Sequence, residues 1–201
     1  MVISVRHRNS FFLLRWWIVF IYFLTSAAAV RAQDIAVPVD VHFPLLIKLL
    51  SFDRSINKQT KEEIVVGVLF QTAYRSSRQT KMEIENLIAS PAFKKLNGVT
   101  LWYKFLNIDD PLDMQSFFTK NKLDIIYIAP LRAFDIHAIV KGADLSHILT
   151  LTGVPEYVES GIAVGIGLRG DQPQILINLD ESRRQGANFS SKLLGLARII
   201  E

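Results

Sequence analysis

Short apolar, β-branched runs alternate along the chain with segments whose apolar residues recur at helical spacing. The runs EIVVGVLF (from Glu63), LDIIYIAP (from Leu123) and ILTLT (from Ile148) are typical of strands buried on both faces of a sheet. A further run, VTLWYKFLNI (from Val99), mixes aromatic residues with Lys104, which indicates a strand near the sheet edge. Strands that alternate with helices of about ten to fifteen residues predict right-handed βαβ crossovers and a mostly parallel sheet.

Start signals place the intervening helices. Pro44 stands in the first turn of an amphipathic helix over PLLIKLLSF, and Ser76 with Gln79 has capping-box spacing before a second helix. Asp110 is expected to cap a third helix, and a fourth is expected over residues 131–140.

The stretch from Ile162 to Leu179 predicts an antiparallel hairpin. In IAVGIGL the even-numbered residues are large, whereas Gly165 and Gly167 leave the opposite strand face nearly bare. QILINL alternates again after a polar turn, so a second strand follows. Gly165, Gly167 and Gly170 spell GxGxxG, but a dinucleotide site needs a helix after these glycines. We interpret them as small residues that admit a close neighbour.

The residues after the hairpin complete the predicted domain. Asp180 is expected to cap a short turn that Gly186 ends, and Ser190 precedes a helix over SKLLGLARII. This terminal helix is the predicted cover for the face left bare by Gly165 and Gly167. The prediction is an α/β fold over residues 33–201, a single three-layer domain. Its mostly parallel sheet is flanked by helices and is followed by a C-terminal antiparallel hairpin plus helix.

Charge is unevenly distributed along the 201 residues. The formal net charge is +4, but four of the 23 basic residues lie in the first 32 residues, which contain no acid. The remainder is formally neutral, with 19 basic and 19 acidic residues. The electrostatic case for binding nucleic acid or an anionic membrane surface is therefore removed. The absence of cysteine excludes disulfides and thiolate chemistry.

Residues 1–32 have the organisation of a secretory signal peptide. Arg6 and Arg8 precede the apolar run WWIVFIYFL, and small residues follow up to Val30 and Ala32. Cleavage after Ala32 would release a periplasmic chain that begins at Gln33. The alternative is a retained membrane anchor, for which the apolar run is short.

Few residues in the mature chain have the spacing of a catalytic or metal site. Its three histidines, His42, His137 and His147, lie on different predicted elements, so we expect no metal site. Ser55 and Lys58 match SxxK in a polar connection without the companion motifs of a serine enzyme. We therefore expect neither a cofactor nor an enzymatic activity.

The carboxyl ends of the predicted parallel strands form the candidate binding crevice, because ligands favour this edge of an open sheet. Arg75 lies beside a predicted helix N-terminus whose free amides favour an anion. A solvated arginine beside an ordinary helix start is the alternative. The residues expected to line the crevice are Gln71, Thr72, Arg75, Ser76, Thr152, Glu156 and Tyr157.

The segment INLDESRRQGANFSSKLLGLARII, from Ile177 to Ile200, resembles the YfiR family of bacterial periplasmic proteins. An INL strand, an Asp-initiated turn with paired arginines, a glycine and an SSKLL-type helix follow in the family's order. The resemblance implies a small α/β domain that binds the periplasmic sensing region of a membrane partner, as the family's namesake represses the diguanylate cyclase YfiN. The chain departs from the family in its first helix, LLIKLLSFDRS, and in lacking the cysteines used for redox response.

Two functional hypotheses follow. The first is a non-enzymatic periplasmic regulator that binds an inner-membrane diguanylate cyclase of YfiN type or a sensor histidine kinase, and would thereby act on cyclic di-GMP or kinase signalling. The second is a periplasmic small-ligand-binding protein that uses the crevice near Arg75. An exported enzyme ranks third. A homodimer is left open, and nucleic acid is not an expected partner.

We expect export with removal of residues 1–32, because a basic start, an apolar run and the Val30/Ala32 pair stand in signal-peptide order. Intact-mass measurement on the periplasmic fraction should give a chain that begins at Gln33. Recovery of the full-length chain in the cytosol would contradict the prediction.

Overall fold

The computed structural model describes residues 35–58, 62–110 and 113–200, so the predicted signal peptide lies outside the described residues. Within them, the strands form one eight-stranded sheet. The strands are β1 (Glu63–Phe70), β2 (Lys95–Leu96), β3 (Val99–Asn107), β4 (Ile125–Ile128), β5 (Leu149–Thr152), β6 (Val164–Arg169), β7 (Gln172–Asn178) and β8 (Arg198–Ile200).

The sheet order is β2-β3-β1-β4-β5-β6-β7-β8. Strands β3, β1, β4, β5 and β6 are parallel, whereas β2 is antiparallel to β3 and β7 to β6. The mostly parallel sheet and the C-terminal hairpin are therefore confirmed. The chain passes from β1 to β3 on one side and then to β4 on the other, so the direction of winding reverses between β1 and β4.

The helices occupy both faces of this sheet. They are α1 (Val39–Leu49), α2 (Arg54–Lys58), α3 (Arg75–Ile88), α4 (Met114–Asn121), α5 (Ile136–Ser146), α6 (Pro155–Glu159), α7 (Leu179–Arg184) and α8 (Ser191–Leu194). One core layer contains Phe43 of α1 and Ile84 of α3, and the other contains Phe118 of α4 and Ile139 of α5. Residues of β4 alternate between the layers, as the side-chain period of a strand requires. The result is the predicted three-layer α/β domain.

Several helix starts differ from the predictions. Helix α1 begins at Val39 and contains Pro44. The N-cap of α3 is Tyr74, so Ser76 lies inside the first turn and caps nothing. The N-cap of α4 is Asp113, in place of Asp110.

The fourth helix begins later than predicted, at Ile136. Asp135 caps it by accepting a hydrogen bond from the N–H of His137 at 3.0 Å. The helix cannot run from Leu131, because Ala133 has a φ of 51°, outside the right-handed helical region.

The terminal helix is shorter than predicted and lies elsewhere. Helix α8 ends at Leu194, and the chain then forms β8, which pairs in parallel with β7. Pairing with the open edge of β7 overrides the helical periodicity of LLGLA, and Ile199 and Ile200 are β-branched residues suited to a strand. Leu193 of α8 belongs to the core layer on the face of β6 opposite the glycines.

Helix α6, and not the terminal helix, covers the bare face. An ideal Cβ on Gly165 would lie 2.5 Å from Cγ2 of Val158. At Gly167 the nearest atoms to such a Cβ are Cδ1 of Leu176 at 3.1 Å and Cγ of Pro155 at 3.6 Å. The predicted cover by the terminal helix is therefore wrong, and the neighbours of these glycines are Val158, Leu176 and Pro155.

The segment after the hairpin connects distant parts of the chain. Asn178, rather than Asp180, caps α7 by accepting from the N–H of Glu181 at 3.1 Å, while Asp180 lies in the first turn. Ser190 Oγ accepts from the N–H of Leu193 at 3.4 Å. The buried Asp53 carboxylate accepts from the N–H of Asn188 at 2.9 Å. The segment from Ile177 to Ile200 therefore also anchors the connection that follows α1.

Gly165→Ala should lower the free energy of unfolding by about 1–3 kcal/mol, because the new Cβ overlaps Val158, which is buried and β-branched. Gly167→Ala is the matched control and should cost less, since the Leu176 side chain can move. Urea denaturation of both variants measures the difference. Equal losses, or no rescue of Gly165→Ala by Val158→Ala, would contradict this account of α6.

Candidate functional site

The predicted crevice residues lie along one edge of the sheet, as expected for carboxyl ends of parallel strands. Gln71, Thr72, Arg75 and Ser76 follow β1, and Thr152, Glu156 and Tyr157 end or follow β5. The loop after β4 lies between the two groups because β4 separates β1 from β5 in the sheet. The geometry of the crevice therefore depends on the bonds that each group makes to this loop.

Buried side chains of both groups close the crevice onto that loop. Gln71 accepts from the N–H of Arg132 at 2.7 Å and donates to its C=O at 3.2 Å. The Tyr157 hydroxyl accepts from the N–H of Leu131 at 2.8 Å and lies 3.2 Å from its C=O. Burial raises the pKa of Tyr157 to about 12, so its hydroxyl stays protonated near neutral pH.

The Thr152 hydroxyl also makes its hydrogen bonds inside the fold. Its hydroxyl donates to the C=O of Ile128 at 3.0 Å and accepts from the N–H of Val154 at 3.1 Å. The buried members of the predicted set, Gln71, Thr152 and Tyr157, thus hold the strand ends together.

A carboxylate of the chain itself is hydrogen bonded to the loop that precedes α3. Asp109, just beyond β3, accepts hydrogen bonds from the N–H groups of Thr72 at 3.1 Å and Ala73 at 3.2 Å, and from the Thr72 hydroxyl. Hydrogen bonding, first from the Thr72 hydroxyl and then from Ala73, Asn107 and the Thr72 amide, lowers the pKa of Asp109. Sequence reasoning missed this role because Asp109 is adjacent to Thr72 only through the pairing of β3 with β1.

The remaining predicted residues face solvent or a shallow hollow. Arg75 and Glu156 are exposed, and Ser76 is half-buried. Ser76 lines a hollow of about 400 Å³ with Ile35, Ala36, Pro38, Val39, Gln79, Thr80, Glu83 and Pro130. This hollow lies between the start of the described chain and α3.

A buried histidine and tyrosine form a polar contact beneath this edge. His42 Nδ1 lies 2.7 Å from the C=O of Val37, to which it donates, and Nε2 accepts from the Tyr127 hydroxyl at 2.8 Å. Both side chains are fully buried. Desolvation lowers the pKa of His42 and raises that of Tyr127, so both are neutral. Gly153 is required beside the ring, since an ideal Cβ there would lie 2.5 Å from Nε2.

A second polar hollow, of about 340 Å³, lies at the amino ends of the strands. Its wall includes Asp53, Asp124, Ser146 and Gln185. Gln185 accepts from the N–H of Thr150 at 2.9 Å and donates to Asp144 at 3.1 Å, and so stabilises the start of β5. No three or more His, Cys, Asp or Glu side chains within residues 35–58, 62–110 and 113–200 are grouped to hold a metal ion.

Solved structures share the fold over most of the chain. An ABC domain from Streptococcus pneumoniae in complex with L-Trp matches with a TM-score of 0.57 and 14% identity, over 82% of this chain and 62% of that one. A conserved domain protein from Vibrio cholerae O1 biovar El Tor matches with a TM-score of 0.54 and 16% identity, over 82% and 60% respectively. The chain therefore spans about three fifths of each structure. The matches show that this chain shares its α/β fold with these domains.

The chain belongs to the YfiR/HmsC-like family, whose model matches residues 45–198. This family consists of periplasmic regulatory proteins rather than enzymes. No individually curated protein matches the chain. In the part of the chain that the structure describes, no helix has the length and apolar character to cross a membrane.

Asp109→Ala should lower the thermal unfolding midpoint, because the amides of Thr72 and Ala73 lose their acceptor. Inorganic phosphate should restore part of the loss in this variant and leave the wild type unchanged. Differential scanning calorimetry with and without phosphate measures the effect. A further Arg75→Ala change should weaken the phosphate response. Equal phosphate stabilisation of wild type and Asp109→Ala would show that Asp109 does not keep phosphate from the amides of Thr72 and Ala73.

Proposed function

We propose that the protein is a non-enzymatic periplasmic regulator that binds the sensing region of an inner-membrane signalling protein. The partner is a diguanylate cyclase of YfiN type or a sensor histidine kinase. The observation that carries the proposal is the family match over residues 45–198. Regulation by contact with a membrane protein is the general mode of action of this family.

The state of the crevice supports regulation by contact over binding of a small ligand. In open α/β sheets, ligands enter at the carboxyl edge where the winding reverses. Here Gln71 and Tyr157 are hydrogen bonded to the loop after β4, and Asp109 is hydrogen bonded to the loop before α3. A ligand entering this edge would have to displace bonds that the chain makes with itself, which favours a function that uses the surface.

The second candidate is a periplasmic small-ligand-binding protein. Two observations favour it: the shared fold with a domain solved in complex with L-Trp, and the hollow of about 400 Å³ beside Ser76. An amino acid of this size would need a cavity of roughly that volume. Binding in this hollow would place the ligand next to α3 and would leave the closed crevice undisturbed.

Crosslinking in living cells tests the leading proposal. The tagged protein is expressed with its own N-terminal segment, cells are treated with a membrane-impermeant lysine crosslinker, and the products are identified by mass spectrometry. We expect one inner-membrane protein with a periplasmic sensing region and a cytoplasmic cyclase or kinase domain. Excess untagged protein should abolish the product, which controls for specificity.

The readout inside the cell completes the test. For a cyclase partner, overexpression of the protein should lower cyclic di-GMP several-fold, and deletion should raise it. For a kinase partner, the phosphorylation level of that kinase should change, and not the level of cyclic di-GMP. Crosslinking only to transporter subunits, together with stabilisation by a free amino acid, would contradict the regulator proposal and support the second candidate.

A further inference from the structure

The outer edge of β3 is largely unpaired. Strand β2 pairs only with Val99 and Thr100 of β3, and the N–H of Leu101 donates to the C=O of Lys94 at 2.9 Å. Beyond Leu101, the described residues contain no strand on the outer side of β3, although β1 pairs with its inner side as far as Asn107.

The direction of each backbone group follows from two bonds on the inner side. The N–H of Thr100 donates to Glu62 and that of Ile108 to Phe70, so the even-numbered residues of β3 point their amides toward β1. Backbone direction alternates along a strand, and Tyr103, Phe105 and Asn107 therefore point their N–H and C=O groups outward. No backbone group among the described residues pairs with them.

The side chains beside this edge are held in place. The Tyr103 hydroxyl donates to the C=O of Phe93 at 3.0 Å, and Nζ of Lys81 lies 5.1 Å from the centre of the Phe105 ring. On the other face, Trp102 is 54% exposed and Lys104 donates to the C=O of Asn121 at 2.6 Å. The edge is thus extended, flanked by aromatic rings and free of proline.

Charge selects what can pair with this edge. Residues 94–107 contain three lysines, Lys94, Lys95 and Lys104, all exposed, and no acidic residue. Lysine on an open edge opposes pairing with neutral or basic strands, and it also opposes a second copy that brings the same lysines. An extended segment that carries carboxylates gains both the backbone bonds and the charge complementarity.

We propose that an extended, acidic segment of the membrane partner adds as a strand to the outer edge of β3 at Tyr103, Phe105 and Asn107. The inference rests on the proposed regulatory function and names the surface through which it acts. Strand addition supplies affinity through main-chain bonds. Contacts of Trp102 and the lysines with the side chains of the added strand supply specificity.

Amide hydrogen exchange tests the pairing directly. The probe is a short acetylated peptide of alternating glutamate and valine, added to the purified protein. The amides of residues 103, 105 and 107 should exchange fast in the free protein, and saturating peptide should slow them roughly tenfold or more. Those of Trp102, Lys104 and Leu106, already bonded to β1, should not change. A lysine–valine peptide should have no effect.

A matched pair of variants isolates the backbone contribution. Phe105→Pro removes the side chain and the outward N–H, whereas Phe105→Ala removes the side chain alone. Proline is tolerated on an edge strand where the N–H faces outward. Binding of the acidic peptide should fall about tenfold further in Phe105→Pro than in Phe105→Ala, as expected for a lost central main-chain bond. Equal binding by the two variants would overturn strand addition.

A charge-reversal variant serves if Phe105→Pro does not fold cooperatively. Replacing Lys94, Lys95 and Lys104 with glutamate changes exposed side chains, removes the bond from Lys104 to Asn121, and should exchange the preference from the acidic to the basic peptide. Unchanged preference would overturn the proposal. A doubled mass of the free protein with residues 103, 105 and 107 already protected would also overturn it, because a second copy would then occupy the edge.

The crosslinking experiment separates this inference from the proposed function. If Phe105→Pro and the charge-reversal variant still crosslink to the membrane protein as the wild type does, the regulator proposal stands and the β3 edge is not its surface. If the wild type crosslinks to no membrane protein, the proposed function fails, and the inference that rests on it fails too.

Discussion

The hydrogen bond between His42 and Tyr127 fixes how α1 lies on the sheet. It is a polar contact inside an apolar core layer, so each partner satisfies a group that would otherwise be buried without a bond. Donation from Nδ1 to Val37 sets the tautomer, which leaves Nε2 to accept from the tyrosine. The requirement extends to Gly153, whose missing side chain leaves room for the ring. One bond thus links α1, β4 and the end of β5.

Polar residues at the carboxyl edge serve the fold more than a ligand. At the strand ends Gln71, Thr152 and Tyr157 bond to neighbouring main chain. Asp109 supplies from within the chain the negative charge that the amides before α3 attract. The sheet edge at β3, by contrast, keeps main-chain groups unsatisfied by the described residues. The carboxyl edge of the sheet is closed by hydrogen bonds within the chain, whereas the outer edge of β3 has main-chain groups that the described residues do not pair.

Sequence patterns predicted the parts of the fold that depend on local periodicity. The buried strands β1, β4 and β5 and the β6–β7 hairpin follow from apolar runs and alternation, and the structure contains them. The β2–β3 hairpin was missed although its signal was present: Asn97 and Gly98 have φ values of 49° and 90°, as a two-residue turn of the favoured hairpin type requires. The β8 strand could not be predicted from periodicity, because its conformation depends on the free edge of β7. The same holds for the candidate site. The positions of its residues after the strands could be predicted from local sequence, whereas their bonds to Leu131, Arg132 and Asp109 depend on the sheet order.

The bond between Asp53 and Asn188 has a consequence for the order in which the chain can fold. It joins residues 135 positions apart. The packing of the His42 ring against Gly153 is likewise a contact between distant parts of the chain. Contacts of such long range form slowly, because most of the chain must be ordered before they close. A chain synthesised from its N-terminus can pack α1 against Tyr127 and Gly153 before it can make the bond from Asp53 to Asn188. The two ends of the domain are thus joined late in folding, after the strands between them have paired.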